Sequence, residues 1–240
     1  MSKLILIRHG QSIWNLQNRF TGWQNVELSK NGIKEAEKAG ALIKNLNLNI
    51  EAAFTSYLVR AIKTLEIILE ICSLEKLKYK KAWELNERHY GSLTGLNKSE
   101  IRSKLGEKQF KNYRRSWDIA PPPLDLENGS NPKNDEIYKD LNSLKIPNTE
   151  SLKDTFCRVV PYFEKYIEPK ILDDQNIIVA AHGNSLRALC KRLFNISNKS
   201  INKLEIPTGN PLLINIDSQL RVIDRFYLDK SREQKIISDD

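Results

Sequence analysis

This 240-residue chain predicts an α/β fold, on three observations. The apolar run Leu4-Ile5-Leu6-Ile7 leads directly into Arg8-His9-Gly10-Gln11, and a second run, Ile177 to Ala181, leads into His182-Gly183. Each run is short, rich in Ile, Val and Leu, and followed by a helical pattern, as a strand feeding a helix reads. Between them, helix-spaced apolar stripes alternate with short strand-like runs. Ligands in such sheets collect at the carboxyl ends of the strands. If the two strands are parallel neighbours, two of the chain's three histidines converge on one crevice, with Arg8 and a helix N-terminus adding positive potential. That describes a phosphate site with a histidine nucleophile.

The elements follow in order. Ser29 is placed to cap a helix with Ile33, Ala36, Gly40 and Ile43 on one face. Ala53-Phe54-Thr55-Ser56 reads as a strand end, followed by a helix with Ala61, Leu65, Ile68 and Cys72 as its stripe. Arg60 falls in that helix's first turn, where a cation is unfavourable unless an anion binds there. Residues 83–117 carry Trp83 to Gly91, then helical segments with Ile101, Leu105, Phe110, Tyr113 and Trp117, broken at Gly106. From Asp118 to Asp135, Pro121-Pro122-Pro123, Pro132 and several Asn and Gly predict a long surface loop of the kind that often serves as a lid. Thr149 or Ser151 starts a helix with Leu152, Phe156, Val159, Phe163 and Tyr166 on its buried face. Asn184 begins another, with Leu186, Leu189, Cys190 and Leu193. Leu212 to Ile216 and Val222 to Leu228 read as the last strands. Residues 1–228 form one catalytic domain in this reading, and 229–240 a flexible tail with only Ile236 and Ile237 clearly apolar.

No stretch approaches the roughly 18 apolar residues of a membrane span, and the run at 4–7 is too short for a signal peptide, so a soluble, cytoplasmic protein is expected. Cys72, Cys157 and Cys190 are widely spaced with no CxxC pair, which suggests neither disulfides nor zinc. The net charge of +8 favours anionic partners, but the basic residues are spread along the chain, which fits a small polyanion better than a nucleic acid.

A neutral imidazole attacks phosphorus well, and needs no metal if arginines neutralise the oxygens. Arg8, Arg60 and the Arg114-Arg115 pair are the candidates, with His182 as a further donor to phosphoryl oxygens. Asn15, Thr21, Gly22 and Asn184 offer additional donors. Glu87 is the best candidate for moving the proton of the accepting hydroxyl and the leaving oxygen.

Arg8-His9-Gly10 resembles the signature of the histidine phosphatase superfamily. The segments Arg8 to Asn15, Arg19 to Trp23, Phe54 to Ser56 with Arg60-Ala61, Leu85 to Gly91, Leu96 to Lys98, Arg114-Arg115 and Ala181 to Arg187 together resemble the cofactor-dependent phosphoglycerate mutases, from Lys3 to about Leu228. The resemblance implies a three-layer sandwich with a mostly parallel central sheet flanked by helices. It also implies an isomerase, active in glycolysis and gluconeogenesis, that interconverts 3-phosphoglycerate and 2-phosphoglycerate. Its reaction would run through phosphorylated His9, primed by 2,3-bisphosphoglycerate without a metal. By the same match Glu87 is the proton carrier, and Arg8, Asn15, Arg60 and His182 hold the transferring group. Thr21, Gly22, Arg88, Tyr90, Lys98, Arg114, Arg115, Gly183 and Asn184 contact substrate, with Gln11, Ser12 and His89 alongside. The resemblance further suggests a homodimer and a tail that folds over the occupied site. Gln11 departs from the pattern, since the mutases usually carry Glu there. The rivals are a phosphatase of the same superfamily, in which water takes the phosphoryl group, and a non-catalytic anion-binding scaffold. Lys98 and Arg114-Arg115 argue against the first, because water needs no second anion clamp; His9, Glu87 and His182 argue against the second.

Overall fold

Strand β1 (Ser2–Arg8) lies at the heart of a six-stranded sheet ordered β3-β2-β4-β1-β5-β6. Its partners are β4 (Asn176–Ala181), parallel, and β5 (Leu212–Ile216), antiparallel. Beyond β4 come β2 (Ile50–Thr55) and β3 (Tyr79–Lys81), both parallel, and beyond β5 comes antiparallel β6 (Val222–Tyr227). The four-stranded parallel part carries the expected sheet, and the antiparallel pair extends one edge. Leu4, Ile5, Leu6, Ile7 and Ile177 to Ala181 are all buried, because both faces of the centre are covered. These facts come from a computed structural model that describes residues 1–239, except 126, 128, 130, 143 and 144.

The helices fall as the patterns require, with some departures. Ser12 caps the single turn α1 (Ile13–Leu16), and Ser29 caps α2 (Lys30–Lys44), which buries Ala36, Ala39, Gly40 and Ile43 while Ile33 is exposed. Helix α3 (Val59–Ile71) buries Arg60 as well as Ala61, Leu65 and Ile68, so that its inner stripe includes a charge. Helix α4 (Lys98–Arg115) is interrupted at Gly106, whose φ of 77° and ψ of 161° suit only glycine. Ser151 caps α5 (Leu152–Tyr162) with a reciprocal bond to Asp154; the chain then makes a wide turn over Phe163–Ile167 before α6 (Glu168–Leu172). Tyr166 sits outside the expected buried face, exposed. Helix α7 (Gly183–Leu193) starts straight after His182.

Two predicted surface segments are held more firmly than their composition suggests. Within the stretch read as a lid, and extending to residue 150, the described residues are pinned at several points. Pro122 O accepts from Ser92 N at 2.9 Å, Glu150 N donates to His89 O at 2.9 Å, and Tyr138 is buried against Trp23. Residues 126, 128 and 130 of the predicted loop lie outside the described residues. Residues 229–239, read as a mobile tail, run along the body. Asp229 is buried, exchanges hydrogen bonds with Asn210 and pairs with Lys38 at 2.5 Å, and Arg232 reaches Glu35. Ile236 and Ile237 pack on the core, and Asp240 lies outside the described residues.

Candidate active site

The sheet register brings the two histidines together. Arg8 pairs with Ala181, His9 N donates to Ala181 O at 3.0 Å, and the His9 and His182 rings lie 4.9 Å apart by their centroids. Behind His9 the backbone is packed too closely for any side chain. A Cβ on Gly10 would lie 2.1 Å from Gly32 O, and one on Gly32 would lie 2.0 Å from Gln11 O. The start of α2 therefore backs directly onto the histidine turn and fixes it.

His9 Nδ1 lies 2.6 Å from Gly10 O. A carbonyl only accepts, so Nδ1 carries the hydrogen and Nε2 keeps its lone pair. Arg60 Nε points at that nitrogen from 3.3 Å, while its two terminal nitrogens hold Gln24 O and Gly22 O at 2.7 and 2.8 Å. Burial first, then the charges of Arg60 and Arg8, hold the His9 pKa well below its ordinary value, so the ring is neutral and nucleophilic. Burial also lowers His182, with Arg60, His9 and Arg8 adding to it. Ser56 Oγ accepts from Leu58 N at 3.1 Å and lies 2.7 Å from His182 Nε2.

Glu87 is the carboxylate of the cluster. Its Oε1 accepts from Arg88 N at 2.8 Å, Asn184 N at 3.1 Å and Asn184 Nδ2 at 2.9 Å, and its Oε2 lies near Gly183. Burial alone would raise its pKa, but the Arg88 N–H, Arg8, Asn184 and Arg60 together pull it below the usual carboxylate range, so the resting group is ionised. The Arg158 guanidinium, paired with buried Glu150 at 2.6 Å, holds the carbonyls of Glu84, Asn86 and Glu87 and so fixes this segment.

Arg8, His9, Arg60 and Glu87 line an open cleft together with Asn15, Thr21, Gly22, Tyr90, Lys98, Arg114, Arg115, Gly183 and Asn184. Ser12 N donates to Asn15 Oδ1 at 3.2 Å, so the Asn15 amide nitrogen is the group left for a ligand. Lys98 comes from the first turn of α4 and Arg114-Arg115 from its last, so one helix presents cations from both ends. Burial lowers the pKa of Lys98 and of Arg114 and reduces that of Arg60 to about 10, which leaves Arg60 charged near neutrality. Six cations thus face two carboxylates, Glu87 and Glu205. Arg8 Nε, Thr21 Oγ1 and Arg187 Nε are buried without partners, as is His182 Nδ1. Unpaired buried donors are costly, and a polyanion carrying two phosphates fits this set of donors. No group of three or more His, Cys, Asp or Glu that could hold a metal occurs among the described residues.

Four residues expected at the substrate lie off the cleft. Gln11 turns away, with its Oε1 accepting from Ser29 Oγ at 2.9 Å and its N–H bound to Glu35. Ser12 is consumed in capping α1. Arg88 is fully buried behind the cleft and caps the C-terminus of α4 through the carbonyls of Tyr113 and Arg114 at 3.0 and 2.9 Å. His89 accepts from Gly91 N at 3.0 Å, and burial drives its pKa to about 4. His182 is buried against His9 rather than lining the cleft itself. Arg187, Glu205 and Ile206 do line it and were not expected. Arg187 lay inside a matched segment, but on a helix whose apolar stripe drew the reading. Glu205 sits in a connector with no pattern to mark it. None of residues 229–239 lines the cleft.

A family model described as the histidine phosphatase superfamily, branch 1, matches residues 4–134 and 123–229, and the chain belongs to that superfamily. Among curated relatives, the 2,3-bisphosphoglycerate-dependent phosphoglycerate mutase of Pelagibacter ubique is 51% identical over 237 residues, covering 99% of both chains. The corresponding mutase 1 of Lactobacillus johnsonii is 48% identical, covering 95% of this chain and all of its own length. Among solved structures, a mycobacterial glucosyl-3-phosphoglycerate phosphatase superposes with a TM-score of 0.71 at 20% identity, covering 95% of this chain and 97% of its own. At that identity the likeness shows the shared fold.

Proposed function

We infer that this chain is a 2,3-bisphosphoglycerate-dependent phosphoglycerate mutase, an isomerase that interconverts 3-phosphoglycerate and 2-phosphoglycerate in glycolysis and gluconeogenesis. The observation that carries the reading is the two-ended distribution of cations. Arg8 and Arg60 surround the His9 nucleophile, while Lys98, Arg114 and Arg115 stand in the same cleft at the two ends of α4. A phosphatase that hands its phosphoryl group to water has no use for the second set.

Bound 2,3-bisphosphoglycerate supplies the phosphoryl group that primes His9. In this reading His9 Nε2 takes the phosphoryl group as the phosphorus–oxygen ester bond breaks, and the leaving oxygen receives the proton that Glu87, ionised at rest, has taken up in the preceding half of the cycle. In the opposite direction the ionised Glu87 takes the proton of the attacking hydroxyl, and the phosphorus–Nε2 bond breaks. Arg8, Arg60, Asn15 and His182 hold the equatorial oxygens, where charge stabilisation and positioning supply most of the catalysis. Lys98, Arg114, Arg115, Thr21, Gly22, Tyr90, Gly183 and Asn184 hold the rest of the substrate. Arg88, His89, Gln11 and Ser12 act through the backbone they fix. The family resemblance extends this reading to a cytoplasmic homodimer, for which light scattering should return twice the chain mass.

The deciding experiment is incubation with 2,3-bisphosphoglycerate, then with 3-phosphoglycerate under a coupled enolase assay. Acid-labile phosphate on His9 and steady formation of 2-phosphoglycerate are expected. Phosphate release without 2-phosphoglycerate would establish the phosphatase instead, and no labelled histidine would leave only an anion-binding protein.

A further inference from the structure

Arg187 is a buried arginine that lines the cleft, and Glu205 acts on it electrostatically. Two of its nitrogens are committed. Nη1 donates to Asn184 Oδ1 at 2.9 Å, and Nη2 donates to Ile201 O at 2.6 Å. A guanidinium has donors only, so whatever faces it must accept. The Asn184 carboxamide is therefore turned with its oxygen towards Arg187 and its nitrogen the other way. That nitrogen donates to Glu87 Oε1 at 2.9 Å and to Tyr90 Oη at 3.0 Å.

The opposite amide rotamer would place Asn184 Oδ1 against Glu87 Oε1, oxygen to oxygen. Glu87 would lose a donor and gain a repulsive dipole. Among the groups facing Glu87 are Arg8 from β1, Arg60 from α3, Tyr90 from its own segment, Lys98 from α4 and Asn184 from α7. Asn184 is the member of this set whose sign depends on its rotamer. The anchor at Ile201 O ties the arrangement to the connector after α7, so a rigid element rather than the ligand decides it.

We propose that Arg187 is a positioning residue of this site: by fixing the Asn184 carboxamide it keeps the amide donor on Glu87 and sets the pH range over which Glu87 exchanges its proton. The proposal rests on the role of Glu87 given above and deepens it. Lysine at this position keeps the charge, but its single ammonium does not reproduce a planar fork spanning Asn184 and Ile201. R187K should therefore release the amide while leaving the cleft cationic.

The test follows the Glu87 carboxyl by carbon-13 NMR in R187K and R187M, with E87Q assigning the signal. This measurement needs no turnover, so it stands whether or not the mutase reading holds. The Glu87 midpoint should rise by about 0.5 to 1 pH unit, a three- to tenfold change in its protonation constant. The acid limb of kcat/KM should move by the same amount, and it is this shift rather than KM that reads the positioning role, since Arg187 Nε also faces the cleft. An unmoved midpoint in a folded R187K overturns the proposal, whether activity is lost at every pH or KM alone rises; the latter would make Arg187 a direct anion ligand. If R187M does not fold, R187K alone carries the decision.

Discussion

His9 is prepared for its role by a carbonyl rather than a carboxylate. Gly10 O fixes the tautomer, and burial, with the surrounding arginines, keeps the ring neutral. H9A should abolish mutase and phosphatase activity together, since no second group in the cleft presents a comparable nitrogen; a coupled assay retaining more than a few per cent of turnover would defeat the phosphohistidine route. E87Q keeps shape but exchanges no proton, and kcat should fall by roughly 10² to 10⁴. A loss under threefold would remove Glu87 from the chemistry. At this scale the sequence was readable where chemistry sits at strand ends. His9, His182 and Arg8 are marked by the apolar runs before them, and Glu87 by its matched segment. Glu205 was not readable, because it enters from an unpatterned connector to pair with Arg115 at 2.5 Å. Gln11 lies in the segment between His9 and Asn15, which both line the cleft, while its own side chain is taken by Ser29.

Helix α4 shows what an element contributes beyond its residues. Its two halves meet at Gly106, in a backbone region that costs other residues about 1–3 kcal/mol. A Cβ there would meet nothing within 4 Å, so the penalty is conformational and not steric. G106A should lower unfolding free energy by about 1–3 kcal/mol and raise KM more than it lowers kcat, because Lys98 and Arg114-Arg115 lie on opposite sides of the break. Urea unfolding and steady-state kinetics on the same preparation check both. The break itself was legible from Gly106 in a helical pattern. The anchoring of the segment between α4 and α5 was not, since burial of Tyr138 against Trp23 leaves no periodic trace in a stretch full of proline and asparagine. The wide turn at Phe163–Ile167 escaped for a similar reason, as it keeps the apolar spacing of an ordinary helix.

Over the whole molecule, all three histidines are buried and held uncharged, His89 with a pKa near 4. The unfolded chain protonates them around pH 6.5 while the folded chain does not, so unfolding takes up protons and stability falls as pH drops below about 6.5. Each histidine contributes up to about 1.4 kcal/mol per pH unit in that window. Thermal melts from pH 7 to pH 5 should show a steep loss accompanied by uptake of nearly three protons; a flat profile would mean that none of the three is held uncharged in the fold. The C-terminal segment adds to the same total. Deleting residues 229–240 removes the buried Asp229 bonds to Asn210 and the Arg232 contact with Glu35, which also receives Gln11 N. The truncated chain should melt lower by several degrees, and an unchanged melt would place the end of the domain at residue 228.

The placement of β1 between β4 and β5 has a consequence for how the protein is made. The nucleophile's strand leaves the ribosome well before its neighbours at 176–181 and 212–216. Until those segments emerge Leu4 to Ile7 has no strand to pair with, and the nascent chain carries an exposed apolar edge of the kind that chaperones bind. His9 meets His182 only after the intervening residues have been synthesised, so a product interrupted between them contains the nucleophile but not the site.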